Sequence, residues 1–320
     1  MRNPGESAAL VLFTLTAATG CMLDDPEVVD DGPGEVESEV ALPACAAGTW
    51  CVEPTPAGTA LTLHDVWAAG ADDVFAVGDN GTILRRQNNE WVTMTSGTIQ
   101  SLRGVHGTSA SNVWAVGLGG AVLHYDGAAW STVAVTASNI DAIWLASAND
   151  IFMSGGSTVW RSANGGASFT AAALSGSLFS ISGVSASEVY VTGENAYVRK
   201  WNGSSWSTIN PGAGTTTFFS VLAISAGDYW VSDYTPSKET MHMSRSKWAA
   251  KGTGLAVFQS MYKSSTTEVW GVGGSKIGRF NGTAWTTEAP LGNVSLWSVT
   301  GAPGHAWTVG SSGTVGHYVF

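Results

Sequence analysis

Leu63-His-Asp-Val-Trp-Ala-Ala-Gly-Ala-Asp-Asp-Val-Phe75 and Leu102-Arg-Gly-Val-His-Gly-Thr-Ser-Ala-Ser-Asn-Val-Trp114 are two copies of one pattern. Four more full copies run Ile140–Phe152, Leu178–Tyr190, Phe218–Trp230 and Phe258–Trp270, and a copy one residue shorter runs Leu296–Trp307. The closing aromatics recur every 37 to 40 residues, and a turn follows each at Gly78, Gly117, Gly155, Gly193, Asp233, Gly273 and Gly310. Most copies continue through a short apolar strand to a turn and another aromatic, as in Ala121-Val-Leu-His-Tyr-Asp-Gly-Ala-Ala-Trp130. Four short strands in about 40 residues make a propeller blade. A solenoid of this period needs a polar cap at each end, and neither end of the repeat array has one. The 40 glycines, 15 tryptophans and 12% charged residues suit many short strands joined by tight turns. The reading is all-β: a seven-bladed β-propeller over residues 47–320.

Closure sharpens this reading. An aromatic opens the fourth strand of six copies, at Trp91, Trp130, Phe169, Trp206, Trp248 and Trp285, and the seventh copy stops at Phe320 without one. Ala47-Gly-Thr-Trp50-Cys51-Val52 matches Asn281-Gly-Thr-Ala-Trp285, so the N-terminal segment is expected to supply the missing outer strand. A ring closed in this way has no free edge left between first and last blades.

The Val-Trp-Ala-Val-Gly and Tyr-Asp-Gly-x-x-Trp cores resemble propeller lipoproteins of myxobacteria and their relatives, and are similar to BNR/Asp-box and Ycf48-like repeats. Ser162-Ala-Asn-Gly-Gly-Ala-Ser-Phe169 resembles an Asp-box with Asn164 in the Asp place, and Glu268–Arg279 resembles a tectonin-type lectin repeat. The resemblance implies architecture and leaves activity open, because propellers host many unrelated functions.

Ahead of the repeats, Arg2 precedes the apolar run Ala8–Ala18, which is too short to span a bilayer and ends in Thr19-Gly20-Cys21. Residues 1–20 read as a signal peptide, and the small residues before Cys21 resemble a lipobox, which implies lipidation there. Met22 after the cysteine implies outer-membrane rather than inner-membrane sorting. Between Asp24 and Glu39 lie eight acids and no Lys or Arg, so residues 21–46 read as a disordered acidic tether. The remaining Cys45 and Cys51 are expected to bridge in an oxidising compartment.

Charge and motifs exclude several functions. The net charge is −11, but from Ala47 onward 16 acids meet 13 basic residues, with no basic stripe for nucleic acid. There is no HExxH, no Gly-x-Ser-x-Gly, no P-loop and no calcium loop, so no catalytic residue, metal or cofactor is expected. A sialidase-like arginine cluster would need several Arg on the inner strands, and Arg103 stands alone there. Met241-His242-Met243, in what reads as a long exposed loop (232–243), also has the chemistry of a soft-metal ligand set.

Two patterns remain. A cation recurs on the third strand (Arg85, His124, Arg161, Lys200, Arg279, His317) and an acid or amide ahead of the second (Asp73, Asn112, Asp150, Glu188, Asp228, Glu268), reading as cross-strand pairs. If Val77 pairs with Thr82, Asp73 faces Arg86. On the inner strand a small-residue position (Asp65, Gly104, Ala142, Ser180, Ser220, Ser260, Ser298) follows a variable one: His64, Arg103, Asp141, Phe179, Phe219, Gln259 and Trp297. A variable ring on a constant frame suits either a binding mouth or filling between blades. The expectation is a monomeric, non-enzymatic binding scaffold of the outer membrane. Its partner is an envelope protein or polysaccharide, with a lectin as the alternative and a sialidase-type glycosidase behind it.

Overall fold

The computed structural model describes residues 45–210, 217–233, 240–244, 247–251 and 257–320. The leader, Cys21 and the acidic run lie outside the described residues. The chain forms seven four-stranded antiparallel sheets, each of consecutive strands except the last. Blades one to six span 63–94, 102–132, 142–173, 178–209, 218–251 and 260–287. Blade seven takes its inner three strands from Leu296–Ala302, His305–Gly310 and Val315–Val319, and its outer strand from Trp50–Glu53. Trp50 pairs with Tyr318 and Glu53 with Val315, so the expected N-terminal closure is present.

The core consists of layers between neighbouring blades. Leu63, Val66, Leu84 and Trp91 of blade one pack with Trp307, Val309 and Val315 of blade seven. Phe75, Val77 and Ile83 in turn pack with Leu102, Val105 and Leu123 of blade two. The second strand of each blade is covered on both faces, which is why it reads as an unbroken apolar run such as Val74-Phe-Ala-Val77. The glycine that ends most second strands has a steric cause. A Cβ on Gly155 would lie 2.2 Å from the carbonyl oxygen of Asn139, and one on Gly193 or Gly273 1.9 Å from the oxygen of Ser177 or Val257. There the chain entering the inner strand crosses against the second strand, backbone to backbone.

The recurring acid and cation meet across the aromatic that closes each repeat. Arg85 bonds Asp73 at 2.6 Å and lies over Phe75; Arg161 bonds Asp150 at 3.1 Å and lies over Phe152. Lys200 and Arg279 repeat this with Glu188 and Glu268, and His124 does so with Asn112 while stacked on Trp114. In blade seven His317 stacks on Trp307 at 4.9 Å. Cation, ring and acid form one layer, each contact worth a fraction of a kcal/mol where exposed.

Two expectations need correction. Val77 pairs with Ile83, not Thr82, because the intervening hairpin holds five residues, with Asn80 and Gly81 both at positive φ. Arg85 therefore takes Asp73, while Arg86 turns to the opposite face. In blade five, Ser232 and Asp233 end the second strand and Thr240–Ser244 form the third, leaving 234–239 outside the described residues. Met241 and Met243 pack into the apolar layer beside Tyr229, whereas His242 points the other way, onto Trp230 and toward Asp228 at 2.7 Å. Strand alternation separates the three side chains that a metal would need on one side, and His242 is simply the cation of blade five.

Arg86 is the centre of the closure. Its guanidinium, 4% exposed, bonds Glu53 of the closing strand at 3.1 Å, the Ala71 carbonyl at 2.8 Å, Asp72 and Asn89. Glu53 also accepts from the Trp91 indole at 2.7 Å and from His317 Nδ1 at 2.8 Å. Burial would push the Glu53 carboxyl up, but the bonds from His317, Arg86 and Trp91 outweigh it and hold its pKa down at about 2. The closing strand is thus hydrogen-bonded to blade seven along its backbone and ion-paired to blade one through Glu53. Cys45 and Cys51 stand at disulfide distance beside it, Cα to Cα 5.7 Å.

Candidate functional site at one mouth of the channel

The seven inner strands surround a central cavity of about 560 Å³. All seven variable positions line it: His64, Arg103, Asp141, Phe179, Phe219, Gln259 and Trp297. The backbone explains why they vary. In blades one, two, four, five and seven the inner strand carries a bulge at this residue, between Leu63 and Asp65 in the first case and Leu296 and Ser298 in the last. A bulged residue has no cross-strand partner and its side chain is re-aimed, so nothing in the sheet restricts its identity.

The following residue has the opposite role. Its side-chain oxygen accepts the N–H of the next blade's inner strand: Asp65 from Val105 at 2.8 Å, Ser180 from Val221 and Ser260 from Val299, both at 3.2 Å. Ser298 donates to Asp65 at 2.6 Å where blade seven meets blade one. Burial lifts the Asp65 carboxyl to about 6, against the bonds from Ser298, Val105 and Val66. Asp65, Ser180, Ser260 and Ser298 thus tie neighbouring blades together, while Gly104 and Ala142 have no side-chain oxygen to do so.

Around the mouth the chemistry is split. Blades one to three present His64, Arg103 and Asp141. His64 Nε2 lies 2.8 Å from Asp79, which also accepts from Ser101, yet burial and the Arg103 charge keep the imidazole pKa below its usual value. Burial raises the Asp141 carboxyl, partly offset by a backbone bond from Gly156 and by Arg103. Arg103 itself is exposed. Blades four, five and seven present rings: Phe179 and Phe219 stack at 5.3 Å, and Trp297 is 39% exposed, with Gln259 between. Ile99, 84% exposed, lies in the connection that enters the inner strand of blade two at this same end. Rings beside a few placed polar groups can hold a ligand.

No protein-family model matches the sequence, and no curated protein matches it. Solved structures do. The chain is a propeller of the kind seen in YCF48. It superposes on the structure described as YCF48 bound to D1 peptide with a TM-score of 0.71 at 16% identity, covering 88% of this chain and 100% of that one. YCF48 from Cyanidioschyzon merolae gives 0.68 at 15% identity over 85% and 98% of the two chains. The WD40 β-propeller domain of Doa1 gives 0.71 at 14% identity over 81% and 93%. At these identities the likeness establishes the fold.

Sequence reasoning located the mouth ring but missed two features. One is the bulge, whose only sequence trace is the variability itself. The other is a second ring of channel residues three positions further along each inner strand, among them Trp67, His106, Trp144 and Tyr262. The Asp-box-like turn lies far from either: Ser162 and Asn164 bond to each other and to Gly166 and Ser168 within the turn between the third and fourth strands.

Proposed function

We propose that the protein is a non-enzymatic interaction scaffold of the bacterial envelope that docks a protein partner over this channel mouth. In this reading Cys21 carries the lipid anchor, the acidic run is a flexible tether, the propeller is a monomer at the outer membrane, and Cys45 and Cys51 are bridged. The observation that carries the docking reading is the concentration of variable and exposed side chains at one end. Seven variable positions line the mouth, five of them at bulges, and Trp297 and Ile99 hold large apolar surface in water beside it. A solved structure of the same fold is described as YCF48 bound to D1 peptide, which supports a protein ligand over other classes.

The test is photo-crosslinking from position 99 in envelope extract, followed by calorimetry of the captured protein against variants. Trp297→Ala, Phe219→Ala and Arg103→Ala should each weaken binding by more than about 1 kcal/mol, as central interface residues commonly do. Unchanged affinity in all three, with folding intact, moves the site elsewhere. A positive glycan array with no crosslinked protein replaces the partner by a polysaccharide.

A further inference from the structure

The residue after each mouth position is Gly, Ala or Ser in six blades and an acid in one, Asp65. Its carboxylate takes three donors. Oδ1 accepts from the Val66 N–H at 2.9 Å and the Ser298 hydroxyl at 2.6 Å, and Oδ2 from the Val105 N–H at 2.8 Å. A carboxylate offers about four lone-pair sites, so Oδ2 has one left. Asp65 keeps surface on the channel, yet no Lys, Arg or His among the described residues offsets the burial that lifts its pKa. A serine serves the contact between blades without a charge, as Ser180 and Ser260 do. Burying an unpaired charge costs stability, so tying blades together does not account for the acid.

Trp67 stands two residues on, on the same side of the strand and about 7 Å away. Both side chains lie against blade two: Asp65 on the Val105 N–H, and Trp67 on Gly107, where a Cβ would lie 2.8 Å from the indole. Gly107 thus fixes the ring, which still lines the channel. Trp144 and Tyr262 line it too, set against Gly183 and Gly301 in the same way. The other ionisable lining groups do not supply the missing counter-charge. Burial keeps the His64 and His106 imidazoles below their usual pKa and so uncharged at pH 7. Arg103, exposed at the mouth, acts on the Asp141 carboxyl. The lining therefore carries two acids and one base, and Asp65 is the charge left over.

We infer that the channel takes the ammonium group of a lysine on the docked partner, inserted from the mouth and held between the Asp65 carboxylate and the Trp67 ring. One open lone-pair site suits a single N–H of an ammonium and not the two-pronged bond of an arginine fork. One carboxylate is too few for a calcium ion, which takes about six to eight oxygens. An ammonium beside an indole is also attracted by the electron-rich face of the ring. The four-carbon stem lets the charge pass the mouth while the partner's backbone stays outside. The inference rests on the docking face proposed above, whose centre the lysine enters.

The probe is Nα-acetyl-lysine N-methylamide, titrated into the full chain by calorimetry at pH 7, with n-butylammonium chloride as the bare end group. The norleucine and arginine analogues are the controls. The lysine amide should bind at least tenfold tighter than either, and butylammonium should compete with it. Asp65→Ser gives blade one the side chain of blades four to seven. It should abolish the preference for lysine while thermal unfolding stays cooperative. If Asp65→Ser fails to fold, Trp67→Leu decides the matter, since blade five has Leu222 at that place. It should weaken the lysine amide at least fivefold. Equal affinity for the lysine and norleucine amides, tighter binding of the arginine amide, undiminished binding by the folded variants, or no lysine binding at all overturns the inference. Butylammonium binding with unchanged capture of the partner by Asp65→Ser overturns the partner's lysine as the source, in favour of a free amine. Crosslinking from position 99 that persists where the lysine amide does not bind leaves the docking face standing on its own.

Discussion

Glu53→Gln isolates the charge that fastens the closing strand to blade one. The carboxyl of Glu53 has an ordinary pKa of 4.5 and sits here at about 2. At about 1.4 kcal/mol per tenfold change in proton affinity, the ionised form favours the folded state by about 3 kcal/mol. Because the folded pKa is depressed, that stability is complete above pH 4.5 and drains away as pH falls toward 2. Glutamine keeps the shape but leaves the buried Arg86 guanidinium to the more exposed carboxylate of Asp72, a loss of the same order. For a domain of this size about 3 kcal/mol corresponds to a fall in Tm on the order of 10 °C. Calorimetric melting of both proteins from pH 7 to pH 2.5 reads the effect. The gap between them should be widest near neutrality and close progressively below pH 4.5. A gap that is the same at every pH, or under about 0.5 kcal/mol throughout, would show that Glu53 acts by packing and not by charge.

Deleting residues 1–55 should leave blade seven with three strands and yield an aggregation-prone ring of lower Tm, whereas deleting 1–43 should change neither property; equal melting and solubility of the two would refute the closure. Gly155→Ala should cost about 1–3 kcal/mol in denaturant melts, because the new methyl meets the Asn139 carbonyl at 2.2 Å. Gly70→Ala, with open space at its Cβ, is the neutral control, and equal effects would exclude the backbone crossing as the cause. Cys21→Ser should abolish fatty-acid labelling and move the protein to the aqueous phase on detergent partitioning; a wild-type protein that already behaves so has no lipid anchor.

The repeat was legible because each blade solves the same packing problem with the same side chains. Leu63, Val66 and Phe75 recur as Leu102, Val105 and Trp114 because every inner and second strand faces an identical neighbour. Closure was legible from Trp50 for the same reason: it fills the place that Trp285 fills in blade six. What could not be read were interactions that occur once. The Glu53–Arg86 pair joins residues from two blades through a register that the hairpin at Asn80 shifts by one residue, and alternation then decides which arginine faces which acid. His242 was hidden because the hairpin of blade five is longer than its siblings, which displaced the cation from its expected spacing. The deep ring of Trp67, His106 and Trp144 looked like ordinary apolar strand content, since only the curvature of the whole ring brings those positions to a common cavity.

The closing strand also sets an order of events during synthesis. Trp50 leaves the ribosome early, yet its partner Tyr318 is made only after blades one to six. Six blades can zip from contacts that are local in sequence, but the seventh waits for segments from both ends of the repeat array, the slowest kind of contact for a chain to find. A product truncated anywhere before Val315 has no strand on which Trp50–Glu53 can lie, and it keeps an open edge for proteases and chaperones to recognise. The same four residues that complete the ring therefore report whether all seven blades have been made.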